Sequence, residues 1–98
     1  MAGGGNAAAG PVRATVTVVN RLGLHARAAV RFVRAAEPFD AEVRVTKDGM
    51  TVCGTSIMGL MMLAASAGSQ LELEAEGPEA GAALAALVKL VEDGFGET

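Results

Sequence analysis

The chain has 98 residues, with 8 Lys and Arg against 11 Asp and Glu, a formal net charge of −3, one His, one Cys, 3 Phe and neither Trp nor Tyr. That length suits one domain with one modest core, a lone cysteine cannot close an internal disulfide, and one His with one Cys cannot furnish the usual nitrogen and sulfur ligand set of a zinc site. An acidic balance without a Lys/Arg run, and too few rings to stack on bases, argues against nucleic acid as the partner.

Met1 to Gly10 is a Gly/Ala tail whose one polar residue is Asn6. Small side chains cannot offset the entropy of ordering such a segment, so residues 1–11 are expected to form a disordered tail and residues 12–98 a single domain. The tail has no basic segment and no strongly apolar core, so it does not read as a secretory signal. The most apolar stretch, Ile57 to Ala65, is about half the length a membrane span needs. The expectation is a reduced, cytoplasmic chain that does not engage membranes.

Val12, Ala14, Val16 and Val18 alternate with Arg13, Thr15 and Thr17, which predicts a half-buried strand over Val12–Val19. Asn20 to Gly23 is a turn. Ala29, Phe32, Val33 and Ala36 then recur at helical spacing, with Arg27, Arg31 and Arg34 on the opposite side and Pro38 as the stop. Ala41, Val43 and Val45 alternate with Glu42, Arg44 and Thr46 in a second strand, and Asp48-Gly49 is a hairpin signal leading into a third, Met50 to Cys53. Ile57 to Ala65 predicts a helix of about two turns with Ser56 as its N-cap. Leu71, Leu73 and Ala75 alternate with Glu72, Glu74 and Glu76 in a fourth strand, whose glutamates could pair with Arg44 and Lys47 across the sheet. After Gly77-Pro78, the residues Ala80, Ala83, Leu84, Leu87, Val88 and Val91 form the stripe of a last helix ending near Gly94. The order βαββαβα predicts an α+β fold: a two-layer open-faced sandwich with a four-stranded antiparallel sheet and three helices on one face, arranged as a split βαβ unit.

The chemistry converges on Leu22-Gly23-Leu24-His25-Ala26-Arg27. His25 falls where a strand has ended and a helix begins. A helix start carries unpartnered N–H groups and about half a positive charge, a combination that attracts phosphate. Arg27 can reach the same anion with bidentate geometry. A neutral imidazole is a good nucleophile, and the helix-terminal potential favours the neutral ring. A lone histidine near a loop is more often an exposed polar residue; the alternative these neighbours raise is a ring that accepts a phosphoryl group and passes it on.

These residues carry a resemblance. Val16 to Gly94 resembles HPr, the histidine-containing phosphocarrier family of the bacterial phosphotransferase system. Gly23-Leu24-His25-Ala26-Arg27 is similar to the family's active-site signature, and Ser56-Ile57-Met58-Gly59-Leu60-Met61-Met62-Leu63 to its regulatory serine and following helix. Leu71 to Phe95 resembles the nitrogen-related branch and alphaproteobacterial members. The resemblance implies that His25 is phosphorylated on Nδ1 by Enzyme I, which draws on phosphoenolpyruvate, and that the group passes to a histidine of an EIIA-type protein, with Arg27 orienting and neutralising it. It calls for no cofactor and no metal. One departure is Ala28, where the family commonly has proline; alanine is a good helix former and restores an N–H donor.

Ser56 alone is explained as an N-cap. The resemblance adds regulatory phosphorylation by an HPr kinase/phosphorylase, with the phosphate accommodated by the helix dipole and disfavouring an acidic partner. Methionines at helical spacing are usually core, but this helix is too short to hide every face. Leu60 and Leu63 are assigned to the core; Leu24, Ala26, Ile57, Met58 and Met61 are expected, by resemblance, to form the partner-binding surface of a monomer. Cys53 is read as structural. One rival reading is a regulatory HPr-like protein acting through Ser56 phosphorylation and protein binding without relay, which has no need of His25. Another is a small ligand- or metal-carrying domain, which needs a ligand cluster.

Overall fold

The computed structural model describes residues 10–97; of the tail expected over residues 1–11, residues 1–9 lie outside the described residues. The alternating and helical patterns resolve into β1 (Val12–Thr17), α1 (Ala26–Ala36), β2 (Glu42–Lys47), β3 (Met50–Cys53), α2 (Ile57–Met62), β4 (Gln70–Glu76) and α3 (Ala80–Glu92), followed by a short 3-10 turn, Gly94–Gly96. The first strand was expected to run to Val19. Its ladder stops at Thr17, and Val18 continues the pairing on its own: its N–H donates to the Ser69 carbonyl and its carbonyl accepts from Gly68, both at 2.8 Å.

The sheet order is β1-β4-β2-β3, and every neighbouring pair is antiparallel. β4 therefore separates β1 from β2, which run parallel to each other, the split βαβ arrangement. Leu71, Leu73 and Ala75 of β4 lie opposite Val16, Ala14 and Val12 of β1, and Leu73 and Ala75 also face Val45 and Val43 of β2. This register puts every one of those β4 and β2 side chains on the covered face, where each large apolar group removed from water stabilises by about 1.5–3 kcal/mol. Phe32 and Val33 from α1, and Ala83, Leu87 and Val91 from α3, close the core from above, with Leu60 and Leu63 at the α2 end. α2 packs on α1 and β3.

The other face of the sheet is open and charged. Arg44 sits at its centre, with Nε 2.8 Å from Glu74, Nη2 3.0 Å from Glu76 and Nη1 3.2 Å from Glu42. Arg13 adds a contact to Glu74 at 2.7 Å. The pairing open to Lys47 across the sheet is not made; its ammonium turns to Asp48 in the hairpin, at 3.0 Å. Asp48 and Gly49 have φ of 49° and 83°, the left-handed pair that a two-residue hairpin demands.

Candidate functional site

The site is assembled where β1 hands over to α1. Asn20 folds the turn on itself: its carbonyl accepts from the Gly23 N–H at 3.1 Å, and its side-chain Nδ2 donates to the Gly23 carbonyl at 2.8 Å. Gly23 has φ of 68° and lies so close to the chain after α2 that a Cβ there would be 2.3 Å from the Ala65 carbonyl oxygen. Leu24 then donates its N–H to that same carbonyl at 2.9 Å.

His25 follows as the N-cap of α1, in extended conformation. Its carbonyl accepts from Ala29 at 2.9 Å, and its ring Nδ1 accepts from the Arg27 N–H at 3.2 Å. Because Nδ1 is an acceptor, the proton of the neutral ring sits on Nε2. Nε2 faces the carboxylate of Glu97, 72 residues away in sequence. The other Glu97 oxygen accepts from Asn20 Nδ2 at 2.9 Å. These contacts, the Asn20 amide first and the His25 ring second, hold the Glu97 carboxyl below the usual carboxylate range.

Glu97 reaches the site because the chain doubles back after α3. Gly94, Phe95 and Gly96 all have left-handed φ, of 64°, 58° and 75°. Phe95 is buried, and its carbonyl accepts from an Arg31 guanidinium N–H. Together Asn20, Arg21, His25, Arg27, Arg31 and Glu97 line much of a cavity of about 690 Å³. Three arginines, a helix start and one carboxylate therefore share a cavity around a half-buried imidazole, a setting suited to a dianionic group arriving at Nδ1.

His25 and Arg27 thus line one cavity, and Ala26 is exposed beside them. Leu24 is the correction. It is 4 % exposed and part of the core, because the left-handed Gly23 turns the following side chain inward, so it offers no docking surface. The exposed leucine of the turn is Leu22. Ile57, Met58 and Met61 are exposed, joined by Met62, while Leu60 and Leu63 are buried. Ser56 caps α2: its Oγ accepts from the Gly59 N–H at 3.0 Å. Cys53 is exposed and pairs with the Thr55 hydroxyl, so the core does not depend on it. The sequence shows Asn20 only as a turn residue and assigns Glu97 no role; the local signal is Gly94-Phe95-Gly96, two flexible residues around a core-sized side chain. Among the described residues no helix is long and apolar enough to cross a membrane.

Residues 12–93 match the family described as the PTS HPr component phosphorylation site. The chain belongs to the HPr family. It is 46 % identical over 86 residues to phosphocarrier protein HPr of Neisseria meningitidis, covering 88 % of this chain and 97 % of that one. It is 41 % identical over 87 residues to phosphocarrier protein NPr of Escherichia coli, again 88 % and 97 % of the two chains. Among solved structures, that of HPr-C-His from Thermoanaerobacter tengcongensis superposes with a TM-score of 0.85 at 42 % identity, covering 89 % of this chain and 98 % of that one. The βαββαβα sandwich is thus the HPr fold.

Proposed function

We propose that this HPr-family chain carries a phosphoryl group on Nδ1 of His25, taking it from phosphorylated Enzyme I and giving it to a histidine of an EIIA-type protein. Phosphoryl relay through histidine in the phosphotransferase system is the activity of the family, and His25 is the one histidine of the chain. The observation that carries the assignment to Nδ1 is the ring's orientation: Nδ1 points at the first turn of α1 with its lone pair, and the ring proton is turned away toward Glu97.

On transfer, the Nδ1 lone pair attacks phosphorus, an N–P bond forms, and the electron pair of the broken bond returns to the donor. The Arg27 N–H now occupied by Nδ1 is then free to donate to a phosphate oxygen. The Ala28 N–H, absent wherever the family has proline, adds a donor in the same turn. The helix dipole and the Arg27 guanidinium offset the added charge.

Ala26, Ile57, Met58 and Met61 are assigned to the surface that meets both partners. A flexible, polarisable patch of this kind accommodates more than one shape. Ser56 is assigned as a regulatory site for an HPr kinase/phosphorylase, where a phosphate would gain from the α2 start and set negative charge beside the methionines. The chain is taken to work in the cytoplasm as a monomer that docks briefly on larger proteins. Relatives named both HPr and NPr fit roles in sugar transport and in nitrogen regulation.

The test is labelling by radioactive phosphoenolpyruvate and Enzyme I. The chain is expected to acquire acid-labile phosphate and lose it to an added EIIA protein, and His25→Ala to remain unlabelled. A normally labelled His25→Ala variant would sink the assignment.

A further inference from the structure

We propose that Glu97 is a positioning residue for the transfer: its carboxylate holds the His25 proton on Nε2, so that Nδ1 presents its lone pair, and it offsets the positive charge the ring acquires once Nδ1 is phosphorylated. The inference rests on the carrier assignment of His25 and deepens it.

Three observations converge on this role. Nε2 and a Glu97 oxygen are in direct hydrogen-bond contact, with side-chain exposures of 24 % and 20 %, so solvent does not freely replace the carboxylate. The second oxygen is held by Asn20 Nδ2 at 2.9 Å, and the same Nδ2 ties down the Gly23 carbonyl at 2.8 Å. One amide therefore fixes both the loop that carries His25 and the carboxylate that faces it. Third, the backbone that delivers Glu97 is costly. A non-glycine residue in the left-handed region is disfavoured, yet Phe95 is held there between two left-handed glycines by its own burial and by Arg31 on its carbonyl. The groups around the carboxylate are otherwise cationic: Arg31 lies on α1, and Arg21 and Arg27 line the same cavity.

The chemistry needs such a group. A neutral imidazole can carry its proton on either nitrogen, and only the Nε2–H form leaves Nδ1 free to attack. When Nδ1 gains phosphorus while Nε2 keeps its proton, the ring becomes cationic. A carboxylate on Nε2–H stabilises that state, as a buried carboxylate stabilises an imidazolium elsewhere in enzyme chemistry. When the group departs to the acceptor, the N–P electron pair returns to Nδ1 and the Nε2–H…Glu97 contact is restored to its starting form. No proton has to enter or leave the site.

The experiment uses the full chain, E97A and E97Q, with Enzyme I and phosphoenolpyruvate, and reads two quantities: the ring ¹⁵N shifts of His25 and the steady-state kinetics of phosphorylation. Losing the orienting partner of a metal-bound histidine costs roughly 10–100-fold, and by the same reasoning the partial exposure of Glu97 places the expected fall in kcat for E97A near the lower end, about tenfold, at unchanged KM for Enzyme I. The ring of E97A, left with only the long 3.2 Å contact from the Arg27 N–H to set its proton, is expected to shift from the Nε2–H form toward a mixture of tautomers. E97Q keeps one oxygen for the two donors; with that oxygen on Nε2 and the Asn20 contact given up, it is expected to hold the Nε2–H signature while losing the carboxylate's effect on the phosphorylated ring, seen as a changed lifetime of the phosphohistidine. Unchanged ring shifts in E97A overturn the proposal, whether kcat falls or not, because the carboxylate then does not set the proton. Failure of the carrier assignment is distinguishable: it shows as an unlabelled parent chain or a labelled His25→Ala variant, whereas failure of this proposal leaves the parent labelled and His25→Ala dark.

Discussion

Gly23 and Ala65 are in backbone contact, and the contact leaves no room for a side chain. A Cβ on Gly23 would stand 2.3 Å from the Ala65 carbonyl oxygen and 2.8 Å from the Ser66 Cα, neither of which is a flexible group that can move aside. The same carbonyl accepts the Leu24 N–H. The loop after α2 is thus the template on which the His25 turn is cast.

Gly23→Ala is therefore expected to destabilise by at least about 1–2 kcal/mol from the left-handed backbone alone, with the clash adding to it. The turn must also shift, so His25 loses its place at the start of α1. Urea unfolding and labelling by Enzyme I measure the two effects. A variant as stable as the parent would show that the turn can relax without cost.

Ser56 offers a way to separate capping from charge. Ser56→Ala removes the oxygen that accepts from Gly59 and is expected to cost about 1 kcal/mol. Ser56→Asp retains an N-cap acceptor with favourable charge at a helix start, so its stability should stay within a few tenths of a kcal/mol of the parent. Phosphorylation kinetics are expected to order differently: near-normal for Ser56→Ala, slowed for Ser56→Asp, which sets a charge beside the exposed Ile57 and Met58. Equal kinetics in the two variants would count against regulation at this serine.

What could be read in advance divides along a physical line. The strands were legible because alternation is a local property, as in Leu71, Leu73 and Ala75 against their three glutamates. His25 and Arg27 were legible because helix start, turn glycine and chemistry fall within one short stretch of chain. Leu24 was misplaced because which way its side chain faces depends on the left-handed Gly23 and on Ala65, which is remote in sequence. Glu97 was missed for the same reason in stronger form. Its meaning arises only when α3 packs back along β1 and the Gly94–Gly96 turn reverses the chain. No spacing rule connects two residues 72 positions apart.

Phe95 is expected to be the anchor of that reversal. It is buried to 1 % exposure, so Phe95→Ala should cost about 3–5 kcal/mol, a large share of the stability of a small domain. Phe95→Leu retains most of the volume and should cost under about 1.5 kcal/mol. Chemical denaturation ranks the two. In the Phe95→Leu variant the ring ¹⁵N shifts of His25 should match the parent, since a leucine side chain at this position can still hold the turn down. A Phe95→Ala variant of parental stability would mean that the turn is not pinned by its side chain.

The open face of the sheet makes a prediction about acid. Glu42 and Glu76 lie directly opposite each other on β2 and β4, a repulsive pair on their own, and Arg44 bridges both while holding Glu74. The hydrogen bond from Arg44 keeps the Glu74 carboxyl below its ordinary value of 4.5, and the same contacts raise the guanidinium's own pKa. A carboxylate depressed in the folded state contributes stability that is present above its unfolded pKa and lost as pH falls through the folded one. Arg44→Met should therefore be less stable than the parent near neutral pH, where three glutamates are left without their shared partner. The gap should narrow as pH falls below 4.5 toward the lowered value at which the folded chain's Glu74 takes up its proton. Thermal midpoints of both proteins across that range check the sign; a gap that stays constant or widens in acid would show that Arg44 acts through the packing of its alkyl stem instead of its charge.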